Sequence, residues 1–242
     1  MERRPLVCAL LALVVAGALP VASRAATPCG SVAISLPAFA RGSDNLVSWT
    51  VTGQGSSVEI EISTTPDTTS EGAFASTVQS FSASASGSPR EIHGLAERTH
   101  YFHARATKPG ACTPGPWSTI KSSTQDATPP VITITSQEQT SVGAVFLNED
   151  ATIVGTAADE AGGAAVIASG AKTVTVTLAN TTPVLGAGTP PDPLTVSVAP
   201  DGNWSATFEG ISSGTYVAEA AARDNVGNVS DPATLSFVLV AA

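Results

Sequence analysis

The chain is poor in the residues that do chemistry. It has three histidines, three cysteines and one methionine in 242 residues, with 5% aromatic and 13% charged side chains. No Gly-x-Ser-x-Gly elbow is present, so no serine hydrolase arrangement is visible. No glycine-rich phosphate cradle follows a strand and opens a helix. His100 and His103 sit an odd number of residues apart on one strand, so they face opposite sides and cannot chelate one metal together. Glu59 and Glu61 share a strand face in a small module and read as a solvated sheet face, since a glycosidase pair needs a cleft around it. These absences lead us to expect a protein that is not an enzyme. No segment keeps a helical period over three turns, because Gly162 and Gly163 interrupt the Ala-rich stretch 157–168.

Long apolar runs are scarce as well. The single one, Leu6 to Leu19, follows Glu2-Arg3-Arg4 and ends at Pro20, with Ser23-Arg24-Ala25 behind it. Its length falls short of the ~20 residues that span a bilayer. It reads as a secretory signal peptide over residues 1–25, cleaved after Ala25, taking Cys8 with it. The C-terminal Leu235–Val240 run reads as a last strand, so no membrane span is expected in the mature chain. Without residues 1–25 the net charge moves from −9 to −11, since three arginines and one glutamate leave. Residues 128–242 hold only two basic side chains, Lys172 and Arg223, against eleven acidic ones. Such a chain repels phosphate backbones, and nucleic acid is excluded as a partner class.

The remaining signal is period-two alternation rich in Val, Ile and Thr, cut by Gly, Pro, Ser and Asp. In the first half it predicts strands over 31–36, 45–51, 58–64, 76–81, 90–93, 100–107 and 118–123. In the second half it predicts 131–135, 151–157, 173–178, 194–198, 204–208, 216–223 and 234–240. Seven short strands per half give an all-β chain of two tandem Greek-key sandwiches. Asp126-Ala-Thr-Pro129-Pro130 separates them as a stiff linker, giving modules at 26–125 and 131–242. Leu95, a tight turn and Tyr101 six residues later predict a tyrosine corner, in which the hydroxyl bonds back to the turn. The inserts Glu160–Gly170 and Thr181–Pro193 leave the middle strands of the second module open.

Trp49 in Leu-Val-Ser-Trp-Thr-Val, the Leu95…Thr99…Tyr101 corner and Pro116-Trp117-Ser118 resemble a fibronectin type III domain, over about residues 28–125. That resemblance implies a seven-strand sandwich. In it, Cys29 before the first strand and Cys112 before the last lie at one pole, and an exported chain with two cysteines is expected to join them. Most members of that family lack such a pair. Thr128-Pro-Pro-Val-Ile-Thr-Ile-Thr, Gly202-Asn-Trp-Ser-Ala-Thr-Phe and the Gly214–Asn228 strand and turn resemble a bacterial immunoglobulin-like domain, over residues 128–242. The second resemblance implies a structural or adhesive module and no chemistry.

One ligand set stands out. Asp159 and Glu160 follow one strand of the second module, Asp224 and Asn225 follow another, and both loops face Asp126 in the linker. Calcium takes six to eight oxygens from flexible loops, and an ion here would stiffen the junction. Asp and Asn also favour turns without any metal. Trp49 is expected in the core, with Trp117 and Trp204 packing at sheet edges. The expected role is a secreted, bacterial, non-catalytic adhesion or interaction protein whose partner is a cell-surface or extracellular protein. The alternative is a carbohydrate-binding accessory protein for extracellular polysaccharide, which an exposed row of aromatics along one sheet would favour. Asn180, Asn203 and Asn228 match the N-glycosylation pattern, which carries no meaning in a bacterial source.

Overall fold

The computed structural model describes residues 26–135, 139–140, 143–146, 150–160, 168–182 and 190–240. The expected leader over residues 1–25 and parts of both inserts lie outside them. The described chain is all strand and loop. In order the strands are β1 (Ser31–Ser35), β2 (Phe39–Arg41), β3 (Asn45–Thr52), β4 (Ser57–Ser63), β5 (Gln79–Ser84), β6 (Arg90–Ile92), β7 (Thr99–Thr107) and β8 (Lys121–Asp126). They continue with β9 (Val131–Ile134), β10 (Gln139–Thr140), β11 (Gly143–Phe146), β12 (Ala151–Ala158), β13 (Ala171–Thr182), β14 (Leu194–Ser197), β15 (Asn203–Phe208), β16 (Gly214–Asp224) and β17 (Ala233–Leu239).

Both halves repeat one plan. In the first, a sheet of order β1-β3-β6 faces a sheet of order β2-β8-β7-β4-β5. In the second, β9-β12-β15 faces β10-β11-β17-β16-β13-β14. In each, a short strand runs parallel to the last strand, β2 beside β8 and β11 beside β17. These parallel strands are absent from the sequence reading because three or four residues carry no period. Each sandwich has its own core. Val47, Trp49, Ile60, Ile62 and Phe102 fill the first; Ile153, Val176, Trp204, Phe208 and Phe237 fill the second. Cys29 and Cys112 form a disulfide with Cα atoms 5.2 Å apart, clipping the start of β1 to the loop before β8.

The corner is shifted by one residue. On β7 the inward positions are His100, Phe102, Ala104 and Ala106, so Tyr101 points outward. His100, 2% exposed, holds the corner instead, its Nε2 lying 2.9 Å from the Ala96 carbonyl. The second module has the tyrosine form: Tyr216 donates its hydroxyl to Ser212 O at 2.8 Å. Both bonds reach back four residues, and both follow a buried aliphatic residue, Leu95 or Ile211, five residues before the ring.

β5 and β8 each start three residues later than the sequence predicts, at Gln79 and Lys121. In both cases the preceding residues cover the outer face of the five-stranded sheet. The 64–78 loop folds as a small hairpin closed by the Thr68–Phe74 bridge. It lays Phe74 on His103 with ring centroids 3.9 Å apart. Trp117, in the segment before β8, lies on His103 at 4.0 Å, and the Arg105 guanidinium sits 4.3 Å from the Trp117 ring centre. Glu61 ties this column down, accepting from Phe74 N at 3.1 Å and meeting His103 Nε2 at 2.9 Å. Arg105 also donates to Glu59 at 2.7 Å. The Glu61/Glu59 face is therefore roofed rather than solvated.

Glu61→Ala strips two partners at once and strands a buried imidazole, at a cost of roughly 1–3 kcal/mol. The expected outcome is faster proteolysis within 64–78, read by limited digestion and mass spectrometry; unchanged cleavage there would mean that Glu61 does not hold the roof.

Candidate metal centre at the module junction

The residues around the linker are polar and buried, which is costly unless each is satisfied. β8 ends in Ser123, Thr124, Gln125 and Asp126, all buried. Ser123 Oγ accepts from Asn45 Nδ2 at 2.7 Å, and the Thr124 hydroxyl pairs with that of Thr99 at 2.9 Å. Gln125, with its amide nitrogen turned toward the Gly42 and Asp44 carbonyls, accepts from Asn45 Nδ2 at 2.8 Å. Asp126, read from sequence as the first linker residue, is thus the last residue of β8 and 1% exposed.

Asp224, the last residue of β16, is also 1% exposed. It organises the turn that follows. Its Oδ1 accepts from the backbone N–H groups of Val226, Gly227 and Asn228, and Gly227 supplies the φ of +100° that lets the chain wrap one oxygen. Asp159, just beyond β12, accepts at Oδ2 from Gly170 N (2.7 Å) and the Ser169 hydroxyl (3.2 Å). Asp126 Oδ2 accepts from Ser169 N at 2.8 Å.

These three carboxylates converge, with one oxygen of each lying within 4.8 Å of the others. Among the described residues no Lys or Arg forms an ion pair with any of them. Asp159 Oδ1 is buried and has no hydrogen-bond partner. Burial pushes the Asp159 carboxyl above its usual range, and the charges of Asp126 and Asp224 push the same way, outweighing the opposing bonds from Gly170 and Ser169. The donor set is hard, anionic and all-oxygen, drawn from three separate segments, which fits a calcium-type cation rather than a softer metal.

The other two expected ligands stand apart from the cluster. Glu160 is exposed and outside it. Asn225 points its amide nitrogen at the Ser169 and Gly170 carbonyls, at 2.8 and 3.0 Å, and so braces the loop that carries the Asp159 bonds. The residue missed by sequence reading is Asn228. Its Nδ2 donates to Asp224 Oδ2 (2.8 Å) and to the Asp126 carbonyl (3.1 Å), while its Oδ1 accepts from Arg41 Nε on β2 at 3.2 Å. One side chain therefore joins the carboxylates to the first module. The Asp-Asn-Val-Gly-Asn turn was visible in the sequence; the reach of its last residue across to Arg41, 187 positions away, was not.

A second cluster, Asp44, Glu91 and His93, lies on the surface of the first module, with His93 Nδ1 3.0 Å from Asp44. It is an ordinary exposed pair with a neighbouring acid. The two buried histidines behave differently. Burial holds His103 below its usual range despite the bond to Glu61, and burial does the same to His100 despite its bond to Ala96 O, with Arg98 adding repulsion. A base whose folded pKa is lowered binds its proton more weakly folded than unfolded. Its contribution is then intact above about pH 6.5 and declines as pH falls below that value. All three histidines belong to the first module. We therefore expect the unfolding temperature of that module, followed by calorimetry in chelator, to drop between pH 7 and pH 5; His103→Gln should flatten the slope.

No protein-family model matches the chain, and no curated protein matches it. Among solved structures it is similar to the FN1–FN3 domains of chicken CNTN1, at 8% identity and a TM-score of 0.44, covering 89% of this chain and 66% of that one. It is similar to the fibronectin(III)-like modules of Clostridium thermocellum CbhA, at 14% identity and a TM-score of 0.43, covering 87% and 95%. A two-domain fibronectin type III segment of chicken tenascin gives 9% identity and a TM-score of 0.30 over 86% and 99%. The sandwich fold rests on the strand order and the two cores described above, and these likenesses add nothing on function.

Proposed function

We propose that this chain is an exported, non-catalytic binding protein that presents two β-sandwich modules to a cell-surface or extracellular protein, with calcium at Asp126, Asp159 and Asp224 fixing one module against the other. The observation that carries this reading is the convergence of three carboxylates from both sides of the linker around a buried oxygen that has no partner. A disulfide suits an oxidising compartment, and among the described residues no helix is long and apolar enough to cross a membrane.

The polysaccharide alternative expects a flat row of exposed rings. In the first module the ring faces of Phe74, His103 and Trp117 are spent on one another and on Arg105. Trp49 and Trp204 are core. Among the described residues these five rings make no exposed row, which favours protein contact.

The test is retention. Purified mature protein is incubated with producing cells and with insoluble polysaccharides, in calcium and in chelator. Calcium-dependent retention on cells, lost once the cells are treated with protease, is the expected result. Retention on one polysaccharide, unaffected by protease, would reverse the choice.

A further inference from the structure

One segment of the first module hangs on a single buried residue. Within residues 65–78 only Phe74 is buried; Gly72 and Ala73 are half-buried and the rest are exposed. Phe74 belongs to neither core. The hairpin is held mostly by its own backbone: Thr69 N donates to Ala73 O at 2.8 Å, Gly72 N to Thr69 O at 2.9 Å and Ala75 N to Asp67 O at 2.9 Å. At its root Thr65 N donates to Ser63 Oγ and Val78 N to Ile62 O. Among the described residues the one hydrogen bond from its tip to the sheet runs from Phe74 N to Glu61 Oε2. Gly72 fits beside Trp117 because it has no side chain; a Cβ there would lie 3.1 Å from Trp117 Cδ1. A segment with so little buried surface opens at low cost compared with the strands beneath it.

What Phe74 lands on can change its charge. The Glu61 oxygen that accepts from Phe74 N also meets His103 Nε2, and the His103 ring is covered by Phe74 on one face and Trp117 on the other. Two charged groups near the ring, Glu61 and Glu59 on β4, favour a proton there, and Arg105 on β7 opposes it. Phe74 and Trp117 bring no charge, while Lys121 on β8 and the hairpin's own Asp67 and Glu71 are exposed. Burial outweighs the two glutamates. Part of that burial is the Phe74 ring itself, so lifting Phe74 returns one face of the imidazole to water and makes its protonation easier.

We propose that the 65–78 hairpin is a strap that acid releases from the first sandwich while the sandwich stays folded, with His103 as its latch. Because the proton binds the open form more tightly, closure is complete above about pH 6.5 and declines below that value. The core persists because Phe74 contributes nothing to it. Released, the strap presents an apolar ring beside an imidazolium, a surface covered at neutral pH. The switch is independent of calcium at the junction.

The experiment is amide hydrogen exchange of the mature chain at about pH 7.5 and about pH 5.5, corrected for the intrinsic effect of pH on exchange. Thr69, Gly72, Phe74 and Ala75 are expected to lose protection by roughly threefold or more in acid, while the amides of β4 and β7 keep theirs. In His103→Gln, which retains an N–H for Glu61, that dependence on pH should vanish. A dependence that survives His103→Gln would belong to His100, which shares a small cavity with Thr64 and Val78 at the hairpin's root, and would overturn the proposal. A variant that leaves the strap open at both pH values is read by the reciprocal measurement. Phe74→Ala, which unlatches the strap without altering His103, should raise the His103 titration midpoint, followed by NMR of the imidazole, toward about 6.5. A midpoint unmoved by Phe74→Ala, or β4 and β7 opening together with the hairpin, would show that no such strap exists.

Discussion

Cutting the Cys29–Cys112 bridge should lower the unfolding temperature of the first module by ten degrees or more and leave the second transition in place. The bonded residues are 83 positions apart, and the loop they close takes in every strand of the first sandwich but β8. In the chain-entropy account, opening a loop of that length releases roughly 4–5 kcal/mol of denatured-state freedom. A domain near 100 residues moves by about 4–8 °C per kcal/mol. Such a domain also lacks the surplus core to absorb the loss. The bridge further anchors a local web: Cys29 N donates to Thr113 O at 2.7 Å, and Thr113 N to Thr27 O at 3.2 Å. Calorimetry of the Cys29→Ser/Cys112→Ser protein, beside the wild type with and without reductant, reads the effect directly. Equal falls in both transitions would show that the two cores do not melt independently.

The second large effect is expected at the junction. At a calcium concentration 100 times its dissociation constant, binding to the folded form adds about 2.7 kcal/mol. The direction with pH follows from Asp159. Its carboxyl is raised in the folded chain, so the folded form holds that proton more tightly than the unfolded one. Stability from this group is thus present in acid and declines as pH rises from about 3.8 through the folded value. In chelator the junction pays that cost at neutral pH, and calcium removes it. Asp159→Asn should therefore raise the melting temperature in chelator and abolish the calcium response, a pair of opposite changes that a merely structural aspartate would not give. Arg41→Ala separates two accounts of the interface. Removing a nearby cation should tighten calcium binding if only long-range charge matters. If the Arg41–Asn228 bond helps hold Asp224 and Asp126 together, binding should weaken instead, and we expect the weakening. A melting temperature indifferent to calcium in the wild type would remove the ion from the proposed function altogether.

Where the sequence spoke through alternation, it spoke clearly. β3, β4, β7, β12, β15 and β16 lie within a few residues of their expected positions because one face of each is apolar at every second residue. β8 was harder. Lys121-Ser-Ser-Thr-Gln-Asp126 has no apolar residue, yet its last four side chains are buried. What seals them is hydrogen bonding to Asn45, Thr99 and the Gly42–Asp44 backbone, a set of partners that only the fold assembles. The corner misled for another reason. Tyr101 has the familiar residue type, but Phe102, Ala104 and Ala106 already fixed the parity of β7 and put His100 inside. Asp126, Asp159 and Asp224 were legible as a set because turns pin their positions near strand ends. Asn228 was not, since its role depends on a strand of three residues in the other module.

The disulfide also decides how the molecule takes a pull. Tension applied along the chain from the residues before β1 to those after β17 reaches Cys29 and crosses the sulfur bridge to Cys112. Residues 30–111 are then out of the load path, and the first module can lengthen only through the segment from Cys112 to β8. That strand is held on one side by β2 running parallel to it, a pairing whose bonds are strained together when the strand slides along its own axis. With the bridge intact, the first sandwich behaves as a nearly inextensible bead, and any stretch of the chain must come from the junction or the second module.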